Sequence, residues 1–182
     1  NRTQIVAERI VALVREKTAR VKIVSVGAGP AIDVQQACQQ LSAIERERLD
    51  VVLLDLDPDA LEVAVGALAT WLAPSQVQGV RENLFRLPRL KRAAELVANA
   101  DLVACTGIFD YLPTGDAVAM LRFFTQALAH SGHAIVFNFA PQNPTRAYME
   151  WIGNWYLIYR DEAALRELAH AAGIATEKYQ LA

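Results

Sequence analysis

The chain has 182 residues and a formal net charge of −2, which suits one domain and excludes the strongly basic surface that nonspecific nucleic-acid binding requires. Hydrophobic residues make up 53 % of the sequence, and no apolar run approaches the roughly 20 residues that span a bilayer. Cys38 and Cys105 lie in apolar surroundings that predict buried thiols and a cytoplasmic protein. We expect a single domain over residues 1–182, whose start at Asn1 rather than methionine is consistent with excision from a longer chain.

The first predicted elements frame a glycine turn. Apolar residues at helical spacing predict a helix over residues 2–19, and the β-branched run Val21 to Val26 predicts a buried strand. That strand stops at Gly27-Ala28-Gly29, and a second helix is predicted from Ala31 to Leu41. A strand, a glycine turn and a helix place a ligand against backbone without a Cβ, beside the free N–H groups of the helix. The turn is therefore a candidate ligand-binding floor, the alternative being an ordinary tight connection.

The same turn bears on the kind of ligand. A dinucleotide-binding fingerprint needs a third glycine three residues after the second, for close packing of helix on strand. Position 32 holds isoleucine instead. An NAD-dependent oxidoreductase is therefore disfavoured.

The second predicted strand, residues 51–55, ends in a carboxylate. An acid at the carboxyl end of a parallel strand, next to the glycine turn, can accept hydrogen bonds from a ribose diol. The alternative role for Asp55 is to cap the next helix, but Asp57 or Asp59 can do that instead. Asp55 is therefore a predicted ligand-binding residue.

The remaining elements continue the alternation of strands and helices. The patterns predict strands at 77–80, 102–105 and 133–139, a helix over 116–129 that stops at His130-Ser131-Gly132, a helix from the Asp161 cap to Ala172, and a final strand within residues 174–182. Thr106 and Gly107 follow the 102–105 strand, at the edge where open α/β sheets bind ligands.

Two features between the third and fourth strands have open interpretations. Asn83 is either a ligand contact or a turn residue bonded to its own backbone. Cations are dense over residues 81–92 and predict a solvated face, the alternative being a landing patch for an anionic partner such as an acyl carrier. These cations are Arg81, Arg86, Arg89, Lys91 and Arg92.

Aromatic residues are concentrated in residues 148–159, which hold two of the three tryptophans. Aromatic side chains with few polar groups among them typically line small-molecule pockets. The predicted substrate-binding residues are Tyr111, Trp151, Trp155 and Tyr159. The alternative is a helix that packs Met149, Ile152 and Trp155 into the core. Arg146 and Arg160 could each hold a carboxylate, or could each be an ordinary ion-pair partner.

Three segments together resemble the class I S-adenosylmethionine-dependent methyltransferases. The glycine turn resembles motif I, with Ser25 where an acid is usual and Ala31 where a third glycine is usual. LLDLDPDALEVA, residues 53–64, resembles motif II, and Phe109-Asp110-Tyr111-Leu112-Pro113 resembles motif IV and its successor. The resemblance covers residues 21–182.

The resemblance implies a fold, a cofactor and its ligands. The fold is an α/β, Rossmann-like, doubly wound and mostly parallel sheet with helices on both faces and an antiparallel edge strand. The cofactor is S-adenosylmethionine, with Asn83 at the adenine amino group and the 109–113 stretch along the methionine part. The implied cofactor-binding residues are Ser25, Gly27, Ala28, Gly29, Asp55, Leu56, Asn83, Leu84, Thr106 and Gly107.

The stretch from Asn138 to Arg160 looks closer still to bacterial enzymes of the extracellular-factor type, which make 3-hydroxy fatty acid methyl esters. That resemblance implies a carboxylate acceptor, already ionised and in need of no general base, with Arg160 favoured over Arg146 to hold it. A hydroxyl acceptor would need a base, for which Asp110 is the candidate. No residue cluster suggests a metal. A non-catalytic regulatory domain that binds the same cofactor stays open, because Ser25 replaces the usual acid.

Overall fold

A computed structural model of the chain describes residues 1–181 and places five strands in one sheet of order β3-β2-β1-β4-β5. The strands are β1 Val21–Val26, β2 Leu49–Asp55, β3 Val77–Arg81, β4 Ala100–Cys105 and β5 Leu128–Val136. Every pairing within the described residues is parallel. The predicted strand β1 is confirmed at both ends, because a continuous buried run stopped by glycine leaves little ambiguity.

Helices connect the strands and cover both faces of the sheet. They are α1 Arg2–Glu16, α2 Ile32–Gln40, α3 Ala43–Arg46, α4 Pro58–Leu68, α5 Lys91–Val97, α6 Thr114–Ala127, α7 Arg146–Trp151 and α8 Glu162–Ala171. Asp57 caps α4 by accepting from the Asp59 N–H at 3.0 Å, and Asp161 caps α8 by accepting from the Ala164 N–H at 2.8 Å. Both capping predictions are confirmed. None of the described helices is long and apolar enough to cross a membrane.

The core lies in two apolar layers, one on each side of the sheet. Along β1, Ile23 points to the layer built with α1, α2 and α4, whereas Val24 points to the layer built with α5, α6 and α8. Side chains alternate along a strand, so a sheet covered on both faces needs apolar residues throughout. The predicted doubly wound α/β fold is confirmed.

The sheet reverses its direction of growth at β1. The chain adds β2 and β3 on one side of β1, and then returns to add β4 and β5 on the other. Because the strands are parallel, their carboxyl ends share one edge of the sheet. Open α/β sheets bind ligands at that edge, beside the reversal.

The junction of α6 and β5 differs from the prediction. The helix ends at Ala127, and β5 begins at Leu128 because Leu128 pairs with Ala100 of β4. Gly132 therefore lies inside the strand and is not a helix stop. A Cβ there would overlap the Ala100 carbonyl oxygen, so the close approach of two backbones accounts for this glycine.

The predicted antiparallel edge strand is not found in the described residues. Residues 174–181 contain a 3₁₀ turn at Thr176–Lys178, closed by a hydrogen bond from the Lys178 N–H to the Ala175 carbonyl at 2.9 Å. Within residues 1–181, β5 pairs only with β4. Ala182, the last residue of the predicted strand, lies outside the described residues.

Candidate active site at the carboxyl edge of the sheet

The glycine turn between β1 and α2 folds back over the end of β2. The N–H groups of Gly27 and Ala28 both donate to the Leu54 carbonyl, at 2.8 and 3.2 Å. Left-handed backbone recurs at every second residue, with φ of 70° at Gly27, 49° at Gly29 and 52° at Ala31. Ala31 stands where the resemblance expects a third glycine, and its backbone has the left-handed conformation that glycine adopts most easily. For an alanine, this conformation costs about 1–2 kcal/mol.

The two glycines are required for different reasons. A Cβ on Gly27 would lie 2.9 Å from Ile108 Cδ1, so this glycine makes room for a neighbouring side chain. A Cβ on Gly29 would meet no described atom within 4 Å. Gly29 therefore presents bare backbone to the edge of the sheet, whereas the role of Gly27 is at least partly packing.

Asp55 is bonded to the glycine turn. Its Oδ2 accepts from the Gly29 N–H at 2.7 Å, and its Oδ1 accepts from the Asp57 N–H at 3.0 Å. Two of the roughly four lone-pair directions of the carboxylate are used in this way. The rest are available to the hydroxyl groups of a ligand, and the helix cap is made by Asp57 instead.

The predicted cofactor-binding residues that follow β2 and β3 lie on the same edge. Leu56 is 52 % exposed, and Phe85, which was not among the predicted residues, is 50 % exposed after β3. Asn83 Oδ1 accepts from the Phe85 N–H at 3.1 Å, which is the turn interpretation of this residue, and Leu84 is buried. Ser25 is buried in β1 between Leu53 and Ala104.

Arg2 reaches this edge although nothing in the sequence pattern indicated it. It is the first residue of α1, and its Nη1 donates to the carbonyl oxygen of Thr106 at 3.0 Å. The same Nη1 lies 3.5 Å from Asp110 Oδ2, and the guanidinium carbon lies 4.2 Å from the centre of the Phe139 ring. Helical periodicity reports which side of α1 is apolar, and carries no information about a residue more than a hundred positions later.

Asp110 anchors a segment that we call the strap, residues 137–160. Its Oδ1 accepts from the Phe139 N–H at 2.6 Å, and its carbonyl oxygen accepts from the Ile158 N–H at 2.7 Å. The side chain is almost fully buried. The Asp110 carboxylate is buried and already bonded to the Phe139 N–H and paired with Arg2. This placement does not agree with the predicted role of Asp110 as a general base.

Arg160 also points inward. Its Nη1 donates to the Phe109 carbonyl at 2.8 Å and to Asn138 Oδ1 at 2.7 Å, and its Nη2 donates to the Leu112 carbonyl at 2.5 Å. Burial lowers the pKa of the guanidinium, and the charge of Asp110 opposes that shift. The predicted grip of Arg160 on a substrate carboxylate does not agree with this placement, because its donors already hold the loop after β4 against the strap.

The aromatic residues of the strap are only partly brought together. Trp155 Nε1 donates to the Tyr111 hydroxyl at 2.7 Å, whereas Trp151 is 86 % exposed. Arg146 lies over the Tyr159 ring at 4.5 Å and pairs with Glu150 at 2.8 Å. The predicted core packing is therefore confirmed for Met149, which is buried, but not for Ile152 or Trp155, which are exposed.

No model of a known protein family and no curated protein matches the sequence. Solved structures do match the fold. A possible exported protein from Bordetella parapertussis aligns over 94 % of this chain and 60 % of its own, with 20 % identity and a TM-score of 0.72. A S-adenosylmethionine-dependent methyltransferase from Agrobacterium tumefaciens aligns over 94 % of this chain and 50 % of its own, with 12 % identity and a TM-score of 0.65.

The magnesium protoporphyrin IX methyltransferase of Synechocystis, solved with bound S-adenosylhomocysteine, aligns over 97 % of this chain and 78 % of its own, with 18 % identity and a TM-score of 0.63. These similarities show that the chain has a Rossmann-like fold, which the two methyltransferase structures share. The chain spans about half to three quarters of the length of these structures.

Proposed function

We propose that the chain is a methyltransferase domain that uses S-adenosylmethionine to methylate a small molecule. The observation that carries the proposal is the Gly29–Asp55 pair. It joins open left-handed backbone to a strand-end carboxylate at the edge where the sheet reverses. The fold similarity to several methyltransferases supports it.

The residues at this edge fit an adenosyl cofactor. Gly29 offers a surface that a Cβ would interrupt, and Asp55 keeps acceptor capacity for a ribose diol. Leu56 and Phe85 are exposed apolar side chains that follow β2 and β3, and we propose that they contact the adenine ring. When bound, the cofactor supplies an activated methyl group, and the protein contributes alignment of the acceptor and exclusion of water.

The acceptor that we propose is the carboxylate of a 3-hydroxy fatty acid or a similar apolar acid. A carboxylate is ionised at neutral pH and needs no base, which suits a site where Asp110 is buried and already bonded. The exposed rings of Tyr111 and Trp155 would contact the apolar tail. The cations of residues 81–92 are exposed, and an acyl carrier could deliver the acid there.

A regulatory domain that binds the cofactor without catalysis is the second candidate. The inward placement of both Asp110 and Arg160 favours it, because neither residue is then available to an acceptor. A cytoplasmic location, which we also propose, is supported by two free, buried thiols.

Calorimetry with S-adenosylhomocysteine tests the cofactor, and transfer of a labelled methyl group to 3-hydroxy acids of increasing length tests the acceptor. Asp55→Asn should weaken S-adenosylhomocysteine binding by about 1–3 kcal/mol, since it removes a charged acceptor of hydroxyl groups. Asp59→Asn is the matched control, because Asp59 lies four residues later, in the first turn of α4, and is exposed. Binding without transfer to any acceptor would favour the regulatory candidate, and equal affinity in both variants would reject the role of Asp55.

A further inference from the structure

Three charged side chains meet between the end of β4 and the strap. Arg2 and Arg160 each carry a positive charge, and Asp110 carries one negative charge, which leaves the cluster at +1. Within residues 1–181, Asp110 is the only carboxylate paired with Arg2, and no carboxylate is paired with Arg160. A buried or half-buried surplus charge is costly unless it meets a counter-charge.

The two guanidiniums are not equivalent. Arg160 is 5 % exposed and donates to three protein oxygens. The Arg2 side chain is 30 % exposed, and in the described part of the chain both of its polar contacts are made by Nη1. Its Nη2 and Nε edge is therefore the donor surface of this cluster that a ligand can reach.

The Arg2 guanidinium is also preorganised. The Phe139 ring lies under it at 4.2 Å and the Phe137 ring lies at 5.6 Å, while the Thr106 carbonyl fixes Nη1. A planar guanidinium held on aromatic rings loses little freedom when it forms a two-pronged bond with a carboxylate. Its contact with Thr106 places it at the carboxyl edge of the sheet, beside the loop that follows β4.

We propose that Arg2 is the carboxylate-binding residue of the candidate active site. The inference rests on the proposed function and names the charged group that the site recognises. A cluster charge of +1 matches a carboxylate, whereas a doubly charged phosphate would leave the excess negative. The carboxylate can come from the amino-acid part of the cofactor or from the acceptor.

Two nucleosides separate these sources. S-adenosylhomocysteine carries the carboxylate, and 5′-methylthioadenosine shares the adenosyl group but lacks it. Affinities of both are measured by calorimetry for the wild type, Arg2→Met, Arg2→Lys and Arg15→Met. Arg15 is the matched control, since it lies at the other end of α1 and contacts Glu45 and the Gln40 carbonyl.

If the carboxylate belongs to the cofactor, Arg2→Met should weaken S-adenosylhomocysteine binding about tenfold to hundredfold and leave 5′-methylthioadenosine binding unchanged. The affinity of Arg2→Lys for S-adenosylhomocysteine should lie between those of the wild type and Arg2→Met, because lysine keeps the positive charge but cannot form the two-pronged bond. If it belongs to the acceptor, both nucleosides should bind all variants equally, and the KM for a 3-hydroxy acid should rise about tenfold or more in Arg2→Met alone.

Two other outcomes overturn the inference. In the first, Arg2→Met weakens the binding of both nucleosides equally. In the second, it changes neither a nucleoside affinity nor the KM. Either result would show that Arg2 only holds the loop after β4. Failure of the wild type to bind either nucleoside rejects the proposed function, and the inference with it. Melting temperatures of the four proteins identify any variant that is unfolded. If Arg2→Met is unfolded, the same comparison of affinities and KM is made with Arg2→Lys.

Discussion

The glycine-turn region, residues 21–105, and the strap are held together by different kinds of interaction. The glycine-turn region contains four of the five strands, joined by regular ladders between two apolar layers. The strap has one short helix and is joined to the loop after β4 by separate hydrogen bonds. Asp110 accepts two of them from strap N–H groups, and Arg160, the last residue of the strap, donates two to loop carbonyls. Regular ladders spread stability over many residues, whereas the strap concentrates it at two charged residues.

The largest effect that this comparison predicts is at Arg160. Arg160→Met leaves the Phe109 and Leu112 carbonyls and Asn138 Oδ1 without this donor. Because buried acceptors that lose a charged donor are costly, the free energy of unfolding, measured in urea, should fall by about 3–5 kcal/mol. Arg146→Met removes the pair with Glu150 and the contact with the Tyr159 ring, both made by a solvent-exposed guanidinium, and should change the free energy of unfolding by about 1 kcal/mol or less. Similar losses in the two variants would show that the strap does not depend on Arg160.

A smaller effect is expected within the glycine turn. Gly27→Ala combines left-handed backbone with a collision against Ile108, and should lower the free energy of unfolding by about 2–4 kcal/mol. Gly29→Ala has only the backbone strain and should lose about 1–2 kcal/mol.

The Ile108→Val background tests the cause of that difference. It removes Cδ1, the atom nearest the added methyl group, so Gly27→Ala should cost less there than in the wild type. An unchanged penalty would assign the whole loss to the backbone conformation.

The smallest effect is on thiol reactivity. Burial raises the pKa of Cys38 to about 11 and that of Cys105 to about 12, so very little thiolate exists at pH 8 and both should react slowly with a disulfide reagent. In Arg160→Met, Cys105 should react faster, since it lies at the end of β4 beside the loop that Arg160 holds, whereas Cys38 in the other layer should not change. Equal acceleration of both thiols would indicate global unfolding instead.

The two regions also differ in how far the sequence predicts them. Strand β1 and the Asp57 cap follow from local patterns, a buried apolar run and a polar residue before a helix. The contacts of Arg2, Asp110 and Arg160 join residues far apart in the chain and have no period. Gly27 shows a further limit of prediction from sequence. A glycine that makes room for the Ile108 side chain cannot be told, from the sequence alone, from one that makes room for a ligand.

The central position of β1 also sets the order in which the sheet can assemble. Residues 1–81 contain β1, β2 and β3, so one side of the sheet needs only nearby partners. On its other side, β1 pairs with β4, where Ile23 lies beside Leu102. Closing that long loop is entropically unfavourable until the pairing is made, and parallel sheets with such distant contacts fold slowly. The half of the sheet that carries the glycine turn and Asp55 therefore depends on contacts within residues 1–81, whereas the half that anchors the strap depends on contacts between distant parts of the chain.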